Sequence, residues 1–482
     1  MLNEFISRSA RGCGRSISLV GQAACALIIG LASLRTGFAA PITTVGALAA
    51  AVRDGTNGAT IELASGTFQL SEPLVLKGGM KLIGQSAGQT ILTHTPEWKG
   101  NPQSLPDPET SPNKFDKTGY LIHLANKAAD IEISGLTLTG PQLHGAIYGF
   151  ENSGLHLHHV ELRDFQYAGL RTYGTKRSKI HDCTFQDAGQ RWEKGQPGVK
   201  GGITGGGIFV IWIADTEIYN NRFLNTKSAP NEHYYGIKGR QGKRLRIHHN
   251  TIEVNFSIEF PFENDEDVEI DHNVLHGTVS IPKHAGGPVP ASGRTFHLHH
   301  NLFRDSYAIE FVRNGVEIDH NLFDFDVKKD HGNLISGFGQ AAAKGPCVFH
   351  NNLVANPGRG VIWINEPYAQ LTVRNNHIIA RPTAKGRADG LFGFNAKCDF
   401  ATFRFENNLI ECLDKERPLF RNDASGKSTV TNNRLTGISD MARYGNAPTK
   451  DTAGLEAPLK FSCGVDGEMR VDGWKTERKQ KP

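Results

Sequence analysis

Short apolar runs with every second residue hydrophobic recur along most of the chain, and many of them end in one polar phrase. EIDHNVL, Glu269 to Leu275, returns almost unchanged as EIDHNLF, Glu317 to Phe323. The same phrase is audible in RIHHNTI (246–252), HLHHNLF (297–303), VFHNNLV (348–354), TVRNNHI (372–378), RFENNLI (404–410) and TVTNNRL (429–435). Upstream, IEISGLTL (131–138), LHLHHVEL (155–162), KIHDCTF (179–185) and EIYNNRF (217–223) keep the period. Alternation of period two sends successive side chains to opposite faces of a strand. Runs this short, 20 to 38 residues apart with no helical periodicity between them, predict a solenoid of β coils.

One position of the phrase falls at 136, 160, 183, 221, 250, 273, 301, 321, 352, 376, 408 and 433, and it is Asn nine times running from Asn221 to Asn433. An Asn stacked on an identical Asn in the next coil can satisfy turn backbone on both sides, which an apolar residue cannot. The His-rich runs at His156, His158, His159, His297, His299 and His300 occupy repeat positions too, so they read as scaffold before they read as a metal site. TVGALAAAVRDGTNGATIELASGTFQL (44–70) reads as a short amphipathic helix and the first strands, and KLIGQSAGQTIL (81–92) as the next coil. Residues 94–120, with five prolines, read as a loop, and 437–482 as a closing cap and tail. The pattern resembles the right-handed parallel β-helix of pectate-lyase-like proteins over Pro41 to Thr436. That resemblance implies an all-β fold of about 12 to 13 coils with an N-terminal cap helix and an Asn ladder.

Composition agrees with a turn-rich β protein, since Gly numbers 54 of 482 residues and hydrophobic residues make up 38%. Arg8, Arg11 and Arg15 precede an apolar run from Ile17 to Leu34 and the stretch Gly37-Phe38-Ala39-Ala40-Pro41. This is expected to be a secretory signal peptide, residues 1–39, which places the mature chain outside the cell or in the periplasm with no membrane span left. Its removal lowers the formal charge from +4 to +1, so no nucleic-acid partner is expected, and a monomer is. Five Cys remain after the leader, Cys183, Cys347, Cys398, Cys412 and Cys463. They fit no zinc-ribbon spacing, and Cys398 with Cys412 is the first candidate pair.

Counting back from the corner places Tyr148, Arg171, Phe209, Lys238 and Pro261 in one outward column, and Phe150, Tyr173, Ile211, Arg240 and Glu263 in the next. Neighbouring coils add His233 and Tyr235, then Glu259, Lys283, His284, Glu310 and Arg313. Cations concentrated on one stripe of a nearly neutral surface suit an anionic polymer, and the tyrosines suit sugar rings. A solvated ladder of salt bridges would account for the same charges without a function. For a uronic-acid polymer the fitting reaction is β-elimination, in which the carboxylate beside the abstracted proton must be neutralised. Lys238 beside Arg240 suits the base, with His284 and Arg313 as further catalytic candidates. Tyr148, Arg171, Tyr173, His233, Tyr235, Lys283 and Glu310 are the substrate-binding candidates. Glu259, Glu263 and Asp265 offer hard oxygen ligands for Ca2+.

These residues resemble the secreted alginate lyase and chondroitinase B family of polysaccharide lyases. That family has a Lys before an I-x-x-N-T corner and an Arg ten residues before the Asn of the following coil. Ile247-His248-His249-Asn250-Thr251 matches the corner. Lys238 is displaced from the family's Lys by a few residues, and Glu263 stands at the Arg place. The resemblance therefore implies a lyase with Lys238 as base and leaves the acid unassigned. A glycoside hydrolase using Glu259 and Glu263, a C5-epimerase and a non-catalytic carbohydrate-binding protein are the rival expectations.

Overall fold

The structure, a computed structural model, describes residues 40–99, 119–189, 205–227, 234–260, 265–281, 293–304, 309–310, 315–325, 333–337, 343–357, 360–364, 368–380, 390–394, 399–413, 418–422, 425–438, 460–463 and 469–472. From Pro41 onward the described residues form a right-handed parallel β-helix. Thirteen strands stack in one parallel sheet, from Leu74–Leu76 to Phe420–Asn422, and twenty-six in a second, bent sheet. A typical coil gives one strand to the first and two to the second, as in Tyr234–Arg240, Lys243–His248 and Thr251–Glu253. A final antiparallel pair joins Lys460–Cys463 to Met469–Asp472. No helix of the described residues is long and apolar enough to cross a membrane.

The alternation seen in the sequence becomes an inside and an outside. Ile218, Ile247, Ile270, Leu298 and Ile318 are paired strand to strand and are at most 1% exposed. Phenylalanines stack along the same interior, Phe185 on Phe223 at 4.8 Å and Phe303 on Phe323 at 4.6 Å. Helix Val45–Asp54 precedes the strands. The Thr44 hydroxyl accepts from the Ala47 N–H at its start, and Leu48 and Val52 are buried in the same core.

The repeated phrase is a corner. All nine asparagines from Asn221 to Asn433 are buried. Each of the first eight donates from both its side-chain amide and its backbone N–H to the side-chain oxygen of the next, at 2.9–3.1 Å. The residue before each corner position adopts left-handed backbone, with φ between 52° and 56° from His159 through Asn432. Asn, Asp and His tolerate that conformation and β-branched residues do not. The position is filled by His159, Asp182, Asn220, His249, His272, His300, His320, Asn351, Asn375, Asn407 and Asn432. Five of the chain's 20 histidines are thereby explained by backbone conformation.

Cys183, Cys347 and Cys412 are buried, and burial pushes the Cys183 and Cys347 thiols up to about 12. Cys398, the first candidate partner of Cys412, lies outside the described residues, as do residues 1–39 of the expected leader.

Candidate functional site on the outward face of the thirteen-stranded sheet

Strand register assembles one column that crosses the whole sheet. It runs His123, Tyr148, Arg171, Phe209, Lys238, Glu259, Ser280, Glu310, Ser336 and Trp363. The second column runs Phe150, Tyr173, Ile211 and Arg240, as counted from the sequence. Glu259, not Pro261, stands opposite Lys238. Counting back from the corner assumes turns of equal length. Lys238 lies 12 residues before Asn250, whereas Glu259 lies 14 before Asn273, so the turn of that coil is longer by two.

The upper half of the stripe is covered rather than open. Tyr148, Arg171, Tyr173 and Tyr235 are 1%, 2%, 2% and 4% exposed. They form aromatic clusters separate from the interior core, Tyr120 with Tyr148 and Tyr173, and Tyr167 with Phe209 and Tyr235. Arg171 is held between them. Its guanidinium donates to the Tyr167 hydroxyl at 2.7 Å and to the Tyr173 hydroxyl, and lies 4.8 Å from the centre of the Tyr173 ring. Burial works against the Arg171 charge, yet the surrounding tyrosines hold its pKa above the ordinary value. Burial also pushes the Tyr148 phenol up to about 12, so it remains a proton-bearing donor at neutral pH.

The stripe becomes accessible at Lys238 and Arg240, both half-buried. Lys238 Nζ is 2.7 Å from Glu259 Oε2, with the two side chains 16% and 11% exposed, and it lies 4.4 Å from the centre of the Tyr235 ring. Beside Arg240 stands Trp212, a residue the sequence reading missed. It is 45% exposed, its backbone N–H donates to the Arg240 carbonyl at 2.9 Å, and its ring centre is 6.4 Å from that of Tyr173. The signal available in the sequence was a lone Trp directly after the column position Ile211.

The remaining candidates divide. Glu310 falls in the Lys238 column by register, two strands beyond Glu259. His233, Glu263, Lys283, His284 and Arg313 lie outside the described residues. Of the Ca2+ set, Glu259 is turned to Lys238, and Asp265 accepts from the Gly242 N–H at 2.7 Å. Each of these two carboxylates therefore already has a partner within the protein.

Comparison with known proteins returns the fold. A family profile described as Right handed beta helix region matches residues 120–325. Gene product 12 of bacteriophage phi29, in its pre-mature form, is 13% identical over 86% of this chain and 56% of its own, with a TM-score of 0.56. A tailspike protein double mutant of E. coli bacteriophage HK620, in complex with a pentasaccharide, is 10% identical over 82% of this chain and 73% of its own, at 0.52. The A-module of the Azotobacter vinelandii mannuronan C-5 epimerase AlgE6 is 11% identical over 83% and 95%, at 0.43. No curated protein matches in sequence. What these matches share with the chain is the right-handed parallel β-helix fold.

Proposed function

We propose that the chain is a carbohydrate-active enzyme, secreted or periplasmic, that cleaves a uronic-acid-containing anionic polysaccharide by β-elimination at Lys238. The observation that carries this reading is the Lys238–Glu259 contact of 2.7 Å on adjacent strands, at the point where the cationic and aromatic stripe opens to solvent. The corner Ile247–Thr251, which resembles that of the alginate lyase and chondroitinase B family, supports the same choice of base.

Elimination takes the proton from the carbon bearing the carboxylate, breaks the bond to the glycosidic oxygen and returns a proton to that oxygen. In the neutral form of the pair, the Lys238 amine takes the first proton and the Glu259 carboxylic acid gives the second. The pair is left as ammonium and carboxylate, and one proton passed back along the 2.7 Å contact resets it. Arg240, two residues along the same strand face, neutralises the substrate carboxylate. Trp212 offers an exposed ring face for a neighbouring sugar. Arg171 acts behind these groups by holding Tyr167 and Tyr173 in place.

A second reading has its own observation. Glu259 and Glu310 are separated by two strand spacings in one column, roughly 9.6 Å between backbones, close to the carboxylate separation of inverting glycosidases. Incubation with alginate, polygalacturonate and chondroitin separates the readings. Elimination gives absorbance near 232 nm from the unsaturated product. New reducing ends without that absorbance would replace the lyase by a hydrolase, inverted uronic residues seen by NMR would indicate an epimerase, and none of these would leave binding alone.

A further inference from the structure

We propose that the outer face of the twenty-six-stranded sheet carries a binding site for one divalent transition-metal ion, Zn2+ in chemical class, held by Glu269, His297 and His299. His297 and His299 sit two apart on strand Phe296–His299, so both imidazoles leave the same face. Their ring centres are 4.1 Å apart. Glu269 is in register with His297 on the preceding strand. Its Oε1 lies 2.9 Å from His299 Nε2, and one ligand atom from each of the three residues falls within 4.8 Å of the others. Zinc bonds of about 2.0–2.1 Å place tetrahedral ligand atoms roughly 3.3 Å apart, so closure needs shifts of about 1 Å in side chains 37%, 17% and 12% exposed. Two imidazoles and one carboxylate suit zinc better than calcium, which takes oxygen ligands.

The surrounding charge favours a dication. Glu269 and Asp271 on the preceding strand and Glu317 and Asp319 on the following one flank the histidine strand, against the guanidiniums of Arg246 and Arg294. A surface depression lined by Asp267, Arg294, Glu317 and Val348 opens alongside. The competing arrangement is a hydrogen-bonded ladder, in which His297 Nε2 meets Asp319 Oδ1 at 2.5 Å, His297 Nδ1 meets the Arg294 guanidinium at 2.9 Å, and His299 meets Glu269. The molecule contains its own control. Glu132, His156 and His158 repeat the construction, but Lys81 Nζ already lies 2.9 Å from Glu132, and Lys179 is in register with His156. A metal ion there must displace an ammonium from its carboxylate ligand, whereas at the proposed site the near guanidinium, Arg294, meets His297 Nδ1 and Arg246 stays 3.8 Å from Glu269.

The test is calorimetric titration of the EDTA-stripped chain with Zn2+ alone, with Co2+ absorbance reporting the coordination number. The expected result is one Zn2+ per chain and a Tm raised by a few degrees. In H297A/H299A binding should weaken at least tenfold, and in E269Q likewise, while H156A/H158A and D319N retain it. E269Q keeps the shape of the site and reports even if the double variant fails to fold. Absence of saturable binding overturns the proposal in favour of the ladder. Equal loss in H156A/H158A, or loss in D319N with E269Q unaffected, overturns the assignment to these three residues. Neither readout involves polysaccharide turnover, so it stands or falls apart from the lyase reading.

Discussion

Two columns climb this molecule side by side and differ in one respect. The corner column places Asn on Asn for nine coils, while the outward column changes at almost every step, from Tyr148 to Arg171, Phe209, Lys238 and Glu259. Identical stacking is what a structural requirement produces when every coil presents the same backbone. Unlike neighbours at one register serve no such requirement; Tyr148, Arg171 and Phe209 pack into local clusters, and only where the stripe reaches solvent are side chains free to answer to something outside the fold. The corner column is also closed, with each amide satisfied by the next, whereas the outward column reaches solvent at Lys238, with Arg240 of the second column beside it.

The sharpest way to break this contrast is at Lys238. Lys238→Arg should keep the ion pair with Glu259 and leave Tm within about 1 °C, while elimination followed at 232 nm falls by roughly 10²- to 10⁴-fold, the usual contribution of acid–base groups. Unchanged turnover would remove Lys238 from the chemistry. An outward column position by itself implies that Lys238→Ala spares stability. The burial of both partners changes that expectation. Stranding Glu259 should cost about 1–3 kcal/mol, so the alanine variant confounds folding with catalysis.

In the corner column, Asn301→Ala removes an acceptor from Asn273 and donors to Ile270 and Asn321. Chemical denaturation should show a loss of about 2–3 kcal/mol. Asn433→Ala loses as many side-chain bonds, two accepted from Asn408 and two donated to the Phe405 and Thr431 carbonyls, but should cost less because it ends the ladder and breaks contact with one neighbouring Asn instead of two. Equal losses would mean that coupling along the ladder adds nothing.

The outer histidines predict a pH dependence. Burial, with the Arg246 charge second, depresses His248 to about 4. Tyr219 stacks on it, His249 Nδ1 lies 2.9 Å away, and Asp271 and Glu217 oppose the shift. The unfolded chain takes up this proton near pH 6.5 and the folded chain only near pH 4. The stabilisation is therefore complete above about 6.5 and is lost as pH falls through that window. His248→Gln should remove about 1–2 kcal/mol of the acid sensitivity, a figure reduced because the ring is part solvated. The smallest effect belongs to His249→Asn, which keeps a residue suited to left-handed backbone and should change stability by less than about 0.5 kcal/mol. His249→Val should cost about 1–2 kcal/mol, and comparable losses from both would show that the ring, not the backbone, matters there.

Much of the fold was legible because the coil repeats its demands. The period-two runs fixed which isoleucines face inward, and the Asn phrase marked the corner, since only a small amide closes both hydrogen bonds. The His-rich runs were legible as scaffold for a related reason, although His297 and His299 lie on one strand face and not only at a turn. The site was less legible. Arg171 was read as an open polymer contact and is buried among tyrosines, a difference set by packing on the outward face that no periodicity encodes. Trp212 escaped notice because a single exposed ring breaks no pattern.

By itself the sequence determined the solenoid, its interior, its corners and the stripe on which Tyr148, Arg171, Phe209 and Lys238 align, because these depend on local alternation and on a nearly constant number of residues per coil. Only the tertiary structure decided that Glu259 rather than Pro261 faces Lys238, that the tyrosines close over Arg171, and that His297 and His299 meet Glu269. Those contacts arise across coils, where a turn longer by two residues shifts the register, and the sequence of one coil carries no record of the length of another's turn.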